Sequence, residues 1–154
     1  MELIQPFGCK SILLFRGSRD GWKCIDFHSR CDNKGATVVL FKTDKNKRCG
    51  GYTSANWHSG GKWESDKSAF LFSLDLKRKF SITNPLHTIA CFSTHGPYFG
   101  HNQDLSAVHE DFNGPVNKCF SNSGQSYSIP SDENGDSILT GTKGAFKCDE
   151  LEVY

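Results

Sequence analysis

Cysteine and histidine are the residues of this sequence with the widest chemistry, because both can bind metal ions and both can take part in nucleophilic catalysis. The cysteines are Cys9, Cys24, Cys31, Cys49, Cys91, Cys119 and Cys148, and the histidines are His28, His58, His87, His95, His101 and His109. A structural zinc site needs about four ligands in closely spaced pairs. No CxxC pair occurs, and although His28 and Cys31 could approach each other on a helix, no second such pair completes a set of four ligands. The spacing therefore predicts no metal site, and we expect no cofactor.

Nucleophilic catalysis receives no specific support from the sequence. With this many cysteines and histidines, accidental Cys/His pairs are certain, and no GxSxG motif is present. The phosphate-binding patterns GxxxxGK[ST] and GxGxxG are also absent, and the acidic stretch SDENGDSIL lacks the spacing of a calcium loop, so we interpret it as a turn. We assign no catalytic residue, and we expect the protein not to be an enzyme.

The cysteines also indicate a compartment. Their number is odd, their spacing is wide, and the N-terminus MELIQPFGCK has no basic region followed by an apolar one. Free thiols in a reducing, cytoplasmic setting are therefore expected rather than a disulfide framework. The longest apolar runs, ILLF and VVLF, are far shorter than the roughly 20 residues that span a bilayer, so we expect no membrane insertion.

The charge of the chain argues against nucleic acid as a partner. The formal net charge is +1 and the pI is near 7.6, whereas nucleic-acid-binding domains usually carry a basic face or a high pI. The densest basic runs are KTDKNKR at residues 42–48 and KRK at 77–79. Each is broken by an acid or bounded by apolar residues, and we interpret both as solvated turns.

Most of the chain has the pattern of short β-strands. Segments rich in β-branched or aromatic residues are separated by turn signals such as NKG, HSGGK, NGP and TKG. The predicted strands are residues 12–16, 37–43, 51–54, 69–74, 88–91, 105–108, 126–129 and 146–154. This pattern favours a mostly β fold with a few helices, either an antiparallel sandwich or a barrel.

One segment has helical periodicity instead. In SRDGWKCIDFHSRCDNKG, the spacing places Cys24, Phe27, His28 and Cys31 on one face. Asp20 is expected to cap the start of this helix, and residues 33–35 to stop it. We expect the helix to pack across the sheet.

The stretch GGYTSANW, residues 50–57, could be a catalytic loop or an anchored strand end. Its alternation is typical of a strand, its glycines fit a bulge or a close backbone approach, and Trp57 offers a large apolar surface with one N–H to satisfy. None of its members is a good acid, base or metal ligand. We therefore interpret the stretch as architectural.

Several motifs in order resemble the TLDc domain of the oxidation-resistance protein family. They are LLFRGSRDGW, FHSRCDNKGATVVLFK, RCGGYTSANW, Asp66 with AFLFSL, GPYFG, DLSAV, SGQSY, LTG and the terminal FKCDELEVY. The resemblance covers residues 13–154, and we treat the whole chain, 1–154, as a single TLDc-like domain. The family's usual glycines before the Asp-Leu pair are replaced here by His101 and Asn102.

The resemblance implies a two-layer antiparallel β-sandwich flanked by helices. The residues that carry its motifs, and that we expect to hold the fold, are Arg19, Asp20, Gly21, Gly50, Gly51, Tyr52, Trp57, Phe70, Phe72, Tyr127 and Glu152. Acidic residues near both ends of the chain, Asp20, Glu150 and Glu152, form a candidate interaction surface. Helix capping and edge-strand chemistry is the alternative role for these acids.

The resemblance also implies a function. Family members are linked to resistance against oxidative stress, and several bind the V-type proton ATPase. The first hypothesis is a non-enzymatic protein-interaction module with V-type ATPase subunits as the leading partner, in which loops such as residues 113–122 supply contacts. The second is a permanent structural subunit of another large complex, such as a cytoskeletal, axonemal or membrane assembly. The third is a redox or hydrolytic enzyme that uses a cysteine.

Overall fold

A computed structural model of the chain describes residues 11–108, 111–113, 119–122, 124–132 and 137–154. In these residues the protein is mostly β-structure, with two packed sheets of six strands each and only two α-helices. All neighbouring strands in both sheets run antiparallel. The antiparallel sandwich flanked by helices that the sequence predicts is therefore confirmed.

The first sheet has the strand order β1 (Phe15–Arg16), β12 (Cys148–Val153), β2 (Thr37–Thr43), β3 (Arg48–Thr53), β5 (Phe70–Ser73) and β6 (Arg78–Ser81). The second has the order β11 (Gly144–Phe146), β10 (Cys119–Ser121), β9 (Leu105–Val108), β8 (His95–Phe99), β7 (Ile89–Cys91) and β4 (Lys62–Glu64). The helices are α1 (Gly17–Asp20) and α2 (Cys24–Cys31), and a 3₁₀ turn covers Pro85–His87.

The sequence locates some strands well and others not at all. The predicted strands 37–43 and 105–108 match β2 and β9 in both bounds, and those at 12–16, 51–54, 69–74 and 88–91 overlap β1, β3, β5 and β7. The predicted strand 146–154 is divided, because the chain passes from β11 in one sheet to β12 in the other. The strand predicted at 126–129 is wrong, since only Tyr127 forms an isolated bridge there.

Helix α2 confirms the face predicted from its periodicity. Cys24, Phe27, His28 and Cys31 are all buried against the sheets. The predicted cap is wrong: Asp20 ends α1, and the backbone N–H at the start of α2, that of Lys23, donates to the carboxylate of Asp26 at 3.0 Å. A second short helix before α2 thus displaces Asp20 from the capping position.

Trp57 lies where the helix and the two sheets meet. Its side chain is fully buried, and its ring packs edge-on against Phe27 of α2 at 5.4 Å and Phe99 of β8 at 5.5 Å between centroids. The indole N–H donates to the hydroxyl of Thr37 on β2 at 2.8 Å, so the polar atom of this large apolar side chain is satisfied.

Gly50 and Gly51 allow neighbouring groups to approach the backbone of β3 closely. A Cβ atom on Gly50 would collide with the carbonyl oxygen of Val39 and lie 2.7 Å from the Phe72 ring. A Cβ atom on Gly51 would lie 2.7 Å from the Phe99 ring. Strand β3 keeps regular register with β2 and β5 at both positions, so the glycines serve close approach and form no bulge.

None of the helices in the described part of the chain is long and apolar enough to cross a membrane.

We predict that Gly50→Ala lowers the free energy of unfolding by about 3 kcal/mol, because the new methyl group has no space beside the Val39 carbonyl. Urea denaturation followed by tryptophan fluorescence measures this change. Gly35→Ala is the control, since a Cβ atom there meets nothing within 4 Å and only its φ of 83° is unfavourable. We expect Gly35→Ala to lower the free energy of unfolding by about 1 kcal/mol. An equal decrease in the two variants would contradict the packing argument.

Candidate functional site

The candidate interaction surface lies where β1 pairs with β12. Arg16 and Glu152 are opposite each other in this antiparallel pair. The Arg16 guanidinium donates to one carboxylate oxygen of Glu152 at 2.8 Å, and the Tyr154 hydroxyl donates to the other at 3.0 Å. The Glu152 side chain is fully buried, so strand register places a charged pair beneath the surface.

Asp20 is the centre of this arrangement. Its side chain is only 4% exposed, and it accepts a hydrogen bond from the backbone N–H of Arg16 at 2.9 Å. Arg19 binds both of its oxygens, at 2.8 and 2.7 Å, and Arg30 of α2 approaches one of them at 3.2 Å. The Arg19 guanidinium, together with the Arg16 amide and Arg30, outweighs burial and holds the pKa of the Asp20 carboxyl below its usual value.

Glu150 connects α1 to β12. Its carboxylate accepts hydrogen bonds from the hydroxyl of Ser18 at 2.5 Å and from the backbone N–H of Ser18 at 3.1 Å. The structure therefore brings the three acids together, although more than 125 positions separate Asp20 from the other two in the sequence. We call the surface formed by Arg16, Ser18, Arg19, Asp20, Arg30, Glu150 and Glu152 the acid–arginine corner.

The outer surface of this corner is formed by arginine more than by acid. The side chains of Arg19 and Arg30 are 46% and 48% exposed, whereas Asp20 lies beneath them. Arg16, Ser18 and Arg30 belong to the corner but are not predicted as members from the sequence. Arg16 and Ser18 stand within the LLFRGSRDGW motif and Arg30 within FHSRCDNKGATVVLFK, but only strand pairing and the packing of α2 bring them together.

The other motif residues lie outside the corner. Tyr52 stacks on Phe70 with ring centroids 5.1 Å apart, and Phe72 follows on the same strand as Phe70. Tyr127 is buried, and its hydroxyl donates to the carbonyl of Thr88 at 3.0 Å. Gly21 has a φ of 114°, and a Cβ atom there would collide with the carboxylate of Asp26.

The loop predicted to supply contacts, residues 113–122, is described only at its ends. Residues 114–118 lie outside the described part of the chain. Residues 119–121 form β10, within the second sheet.

An open groove of about 450 Å³ lies beside the end of α2. It is lined by Asn33, Ala55, Asn56, His58, Gly60, Lys62 and Glu64. Glu64 approaches a ring nitrogen of His58 at 2.8 Å and the ammonium of Lys62 at 3.0 Å. These contacts, His58 first, lower the pKa of the Glu64 carboxyl against the opposing effect of burial. The charged groups of the groove thus pair with each other, and the groove can hold a small polar group by hydrogen bonds.

Within the described ranges, no three His, Cys, Asp or Glu side chains lie close enough together to hold a metal ion.

Comparison with known protein families matches the TLDc domain over residues 6–154, nearly the whole chain. The chain belongs to the TLDc domain family. TLDc domains are generally protein-interaction modules, and membership therefore supports a protein partner. The resemblance drawn from the motifs is confirmed.

The thiols of this TLDc protein lie in its interior. Cys24, Cys31, Cys49, Cys91, Cys119 and Cys148 are buried and form no disulfide, and Cys9 is outside the described residues. Burial raises the pKa of Cys31 and of Cys91 to about 12, and it also raises those of Cys49 and Cys148. Since the thiolate is the reactive form, these environments oppose nucleophilic chemistry at neutral pH.

We predict that Asp20→Asn destabilises the TLDc fold by about 2 kcal/mol at neutral pH, because a neutral amide cannot satisfy the guanidinium groups around it. The pKa of Asp20 is lowered in the folded state, so its stabilisation is fully present above the ordinary value of 3.8 and is lost as the pH falls through the lowered pKa. Urea unfolding at several pH values measures both effects.

Asp149→Asn is the matched control, because Asp149 is exposed on β12. We expect it to change stability by less than about 0.5 kcal/mol. If the difference between Asp20→Asn and the unmodified protein did not shrink at acid pH, the charged carboxylate would not be its cause.

We predict slow alkylation of the buried thiols in a Cys9→Ser variant. A pKa of about 12 rather than 9.0 leaves Cys31 and Cys91 with far less thiolate than an ordinary cysteine, so iodoacetamide should react with them at least about tenfold more slowly than with free cysteine. Mass spectrometry of peptides after timed labelling gives the rates, and protein unfolded in urea is the control. A native cysteine that reacts faster than free cysteine would support the redox hypothesis instead.

Proposed function

We propose that the chain is a non-enzymatic TLDc interaction module that binds and regulates a large intracellular assembly, with the V-type proton ATPase as the leading partner and a link to oxidative-stress resistance. The family match supports a protein partner. The choice of the V-type ATPase rests on the family resemblance.

The observation that carries the proposal is the fixed orientation of Arg19 and Arg30. Both guanidinium groups are about half exposed, and both are bound to the same buried carboxylate of Asp20. Arginine is enriched at protein interfaces and at their energetic centres. A side chain that is already fixed before binding loses less conformational entropy when a partner docks.

The acids of the corner have a positioning role in this proposal. Asp20 orients the two arginines, and Glu150 holds α1 against β12 through Ser18. Glu150 is the acid of the three that is partly exposed, and it can also accept a hydrogen bond from a partner. In this proposal, the same contacts of the acids serve two roles. They cap and brace the ends of α1 and β12, and they position the groups that bind a partner.

We predict that the chain, immobilised on beads, retains the purified peripheral sector of the V-type ATPase at about 50 mM NaCl and releases it at about 500 mM, because salt screens exposed charges. Arg30→Ala should weaken retention at least about fivefold, since it removes an interface guanidinium. The free energy of unfolding should change by less than about 1 kcal/mol, because Arg16 and Arg19 still satisfy Asp20.

Lys34→Ala is the matched control, because it removes an exposed cation outside the corner. Retention that is equal in Arg30→Ala and the unmodified chain would exclude the corner as the contact. No retention by the unmodified chain would exclude this ATPase sector as the partner. Salt-resistant co-purification of another assembly from cells, at fixed stoichiometry, would make the protein a structural subunit.

A further inference from the structure

Three basic segments meet at one end of the first sheet. They are residues 42–48, which include the turn between β2 and β3, residues 75–79, which include the turn between β5 and β6, and residues 143–147, which include β11 of the second sheet and then pass into β12. We call these three segments together the basic end. They are far apart in the sequence, and the strand order of the sheet makes them neighbours.

Direct contacts join the three segments. The Arg48 guanidinium binds Asp75 through two nitrogens, at 2.9 and 2.7 Å, and the Arg48 backbone N–H donates to the same carboxylate at 2.6 Å. On the other side, the backbone N–H of Asp44 donates to the carbonyl of Lys147 at 3.1 Å. The basic end is therefore one continuous surface.

The turns that carry the lysines are held in defined conformations. The hydroxyl of Thr43 accepts hydrogen bonds from the backbone N–H groups of Lys45 and Lys47, each at 3.2 Å. Asn46 and Lys77 have φ values of 56° and 52°, which a tight turn requires. The backbone thus presents its cations from fixed positions.

The charge of the molecule is strongly uneven. The basic end contains nine Lys or Arg residues and two acids, Asp44 and Asp75, for a net charge of +7. The whole chain carries +1, so the remaining residues carry −6. Separation of charge on this scale produces a positive potential at one end of the protein that the overall pI conceals.

Most of these cations are available to a partner. Arg48 pairs with Asp75 and Lys45 lies 4.0 Å from Asp44, but Lys47, Lys77 and Lys143 have no carboxylate within 4.0 Å among the described residues. All three are exposed. Leu76, at the tip of the β5–β6 turn, is 46% exposed and adds an apolar contact point among them.

We infer that the basic end is a docking surface for an acidic segment of a partner protein. The positive potential attracts carboxylates, the fixed turns limit the ordering cost, and Leu76 provides a contact for an apolar side chain within the acidic segment. This surface is separate from the acid–arginine corner and adds a second point of attachment.

A compact acidic segment fits the surface better than an extended polyanion. The remaining −6 charges repel a nucleic acid or an anionic membrane that reaches beyond the basic end. The segments contribute seven lysines and only two arginines, of which Arg48 is already bound to Asp75. Lysine acts as a point charge, without the planar bidentate geometry that makes arginine a strong phosphate ligand.

The test measures binding of a fluorescein-labelled peptide of ten glutamates to the full chain by fluorescence anisotropy at about 50 mM NaCl, where exposed charges are weakly screened. We expect binding that weakens as salt is added. The variant Lys45→Glu/Lys47→Glu/Lys77→Glu should bind at least about tenfold more weakly, because it reverses three exposed charges of the basic end.

The control variant is Lys23→Glu/Lys34→Glu/Lys67→Glu, which changes three exposed lysines elsewhere and gives the same net charge of −5. We expect its affinity to stay within about threefold of the unmodified chain. Equal weakening in the two variants would show that net charge alone governs binding and would overturn the inference.

Two further probes separate the possible partners. A single-stranded oligothymidylate of ten nucleotides and vesicles that contain phosphatidylserine should both bind more weakly than the peptide. Tighter binding of either probe, or no binding of the peptide, would overturn the inference. The assay contains no ATPase, so its failure is independent of failure of the proposed function.

Discussion

The fold depends on the close approach of the two sheets at Trp57 and the glycines of β3. The indole contacts Phe99 of the second sheet, and the same phenylalanine lies against the backbone of Gly51 in the first. Because neither glycine has a side chain, rings from neighbouring strands fill the space above and below β3. The hydrogen bond from Trp57 to Thr37 then fixes the end of this layer to β2. Helix α2 buries its apolar face against this layer, where Phe27 contacts Trp57.

Buried carboxylates organise the connections around this core. Asp104 is fully buried and accepts hydrogen bonds from three successive backbone N–H groups, those of Gln125, Ser126 and Tyr127. Asp66 opposes the cost of its burial with hydrogen bonds from Ser68 and neighbouring groups, and its pKa falls to about 2. Asp20 has the same role at the corner. Glu150 of the candidate surface also accepts a hydrogen bond from a backbone N–H, that of Ser18, whereas Arg19 and Arg30 remain about half exposed.

The sequence predicts the helices and strands that have a local sequence pattern. It does not predict those whose conformation depends on a tertiary contact. Strand β2 is recognised by its continuous run of β-branched and other apolar residues, and α2 has a clear helical period. Strands β4 and β6, KWE and RKFS, are short, polar edge strands that gain their conformation from pairing. Residues 126–129 have the composition of a strand, but the carboxylate of Asp104 accepts hydrogen bonds from the N–H groups of Ser126 and Tyr127. Arg30 likewise joins the acid–arginine corner only through the packing of α2, which brings it to Asp20.

The charge of the basic end is likewise a feature that the sequence alone does not predict. The basic runs 42–48 and 77–79, seen alone, are each broken by an acid or bounded by apolar residues, and solvation is a sufficient explanation for them. Antiparallel pairing of β2 with both β3 and β12 changes this, because it places the ends of those strands side by side. Charges that are separate in the sequence then add at a distance comparable with the screening length of about 10 Å at 0.1 M salt. The sheet order, rather than any local motif, therefore creates the uneven distribution of charge over the molecule.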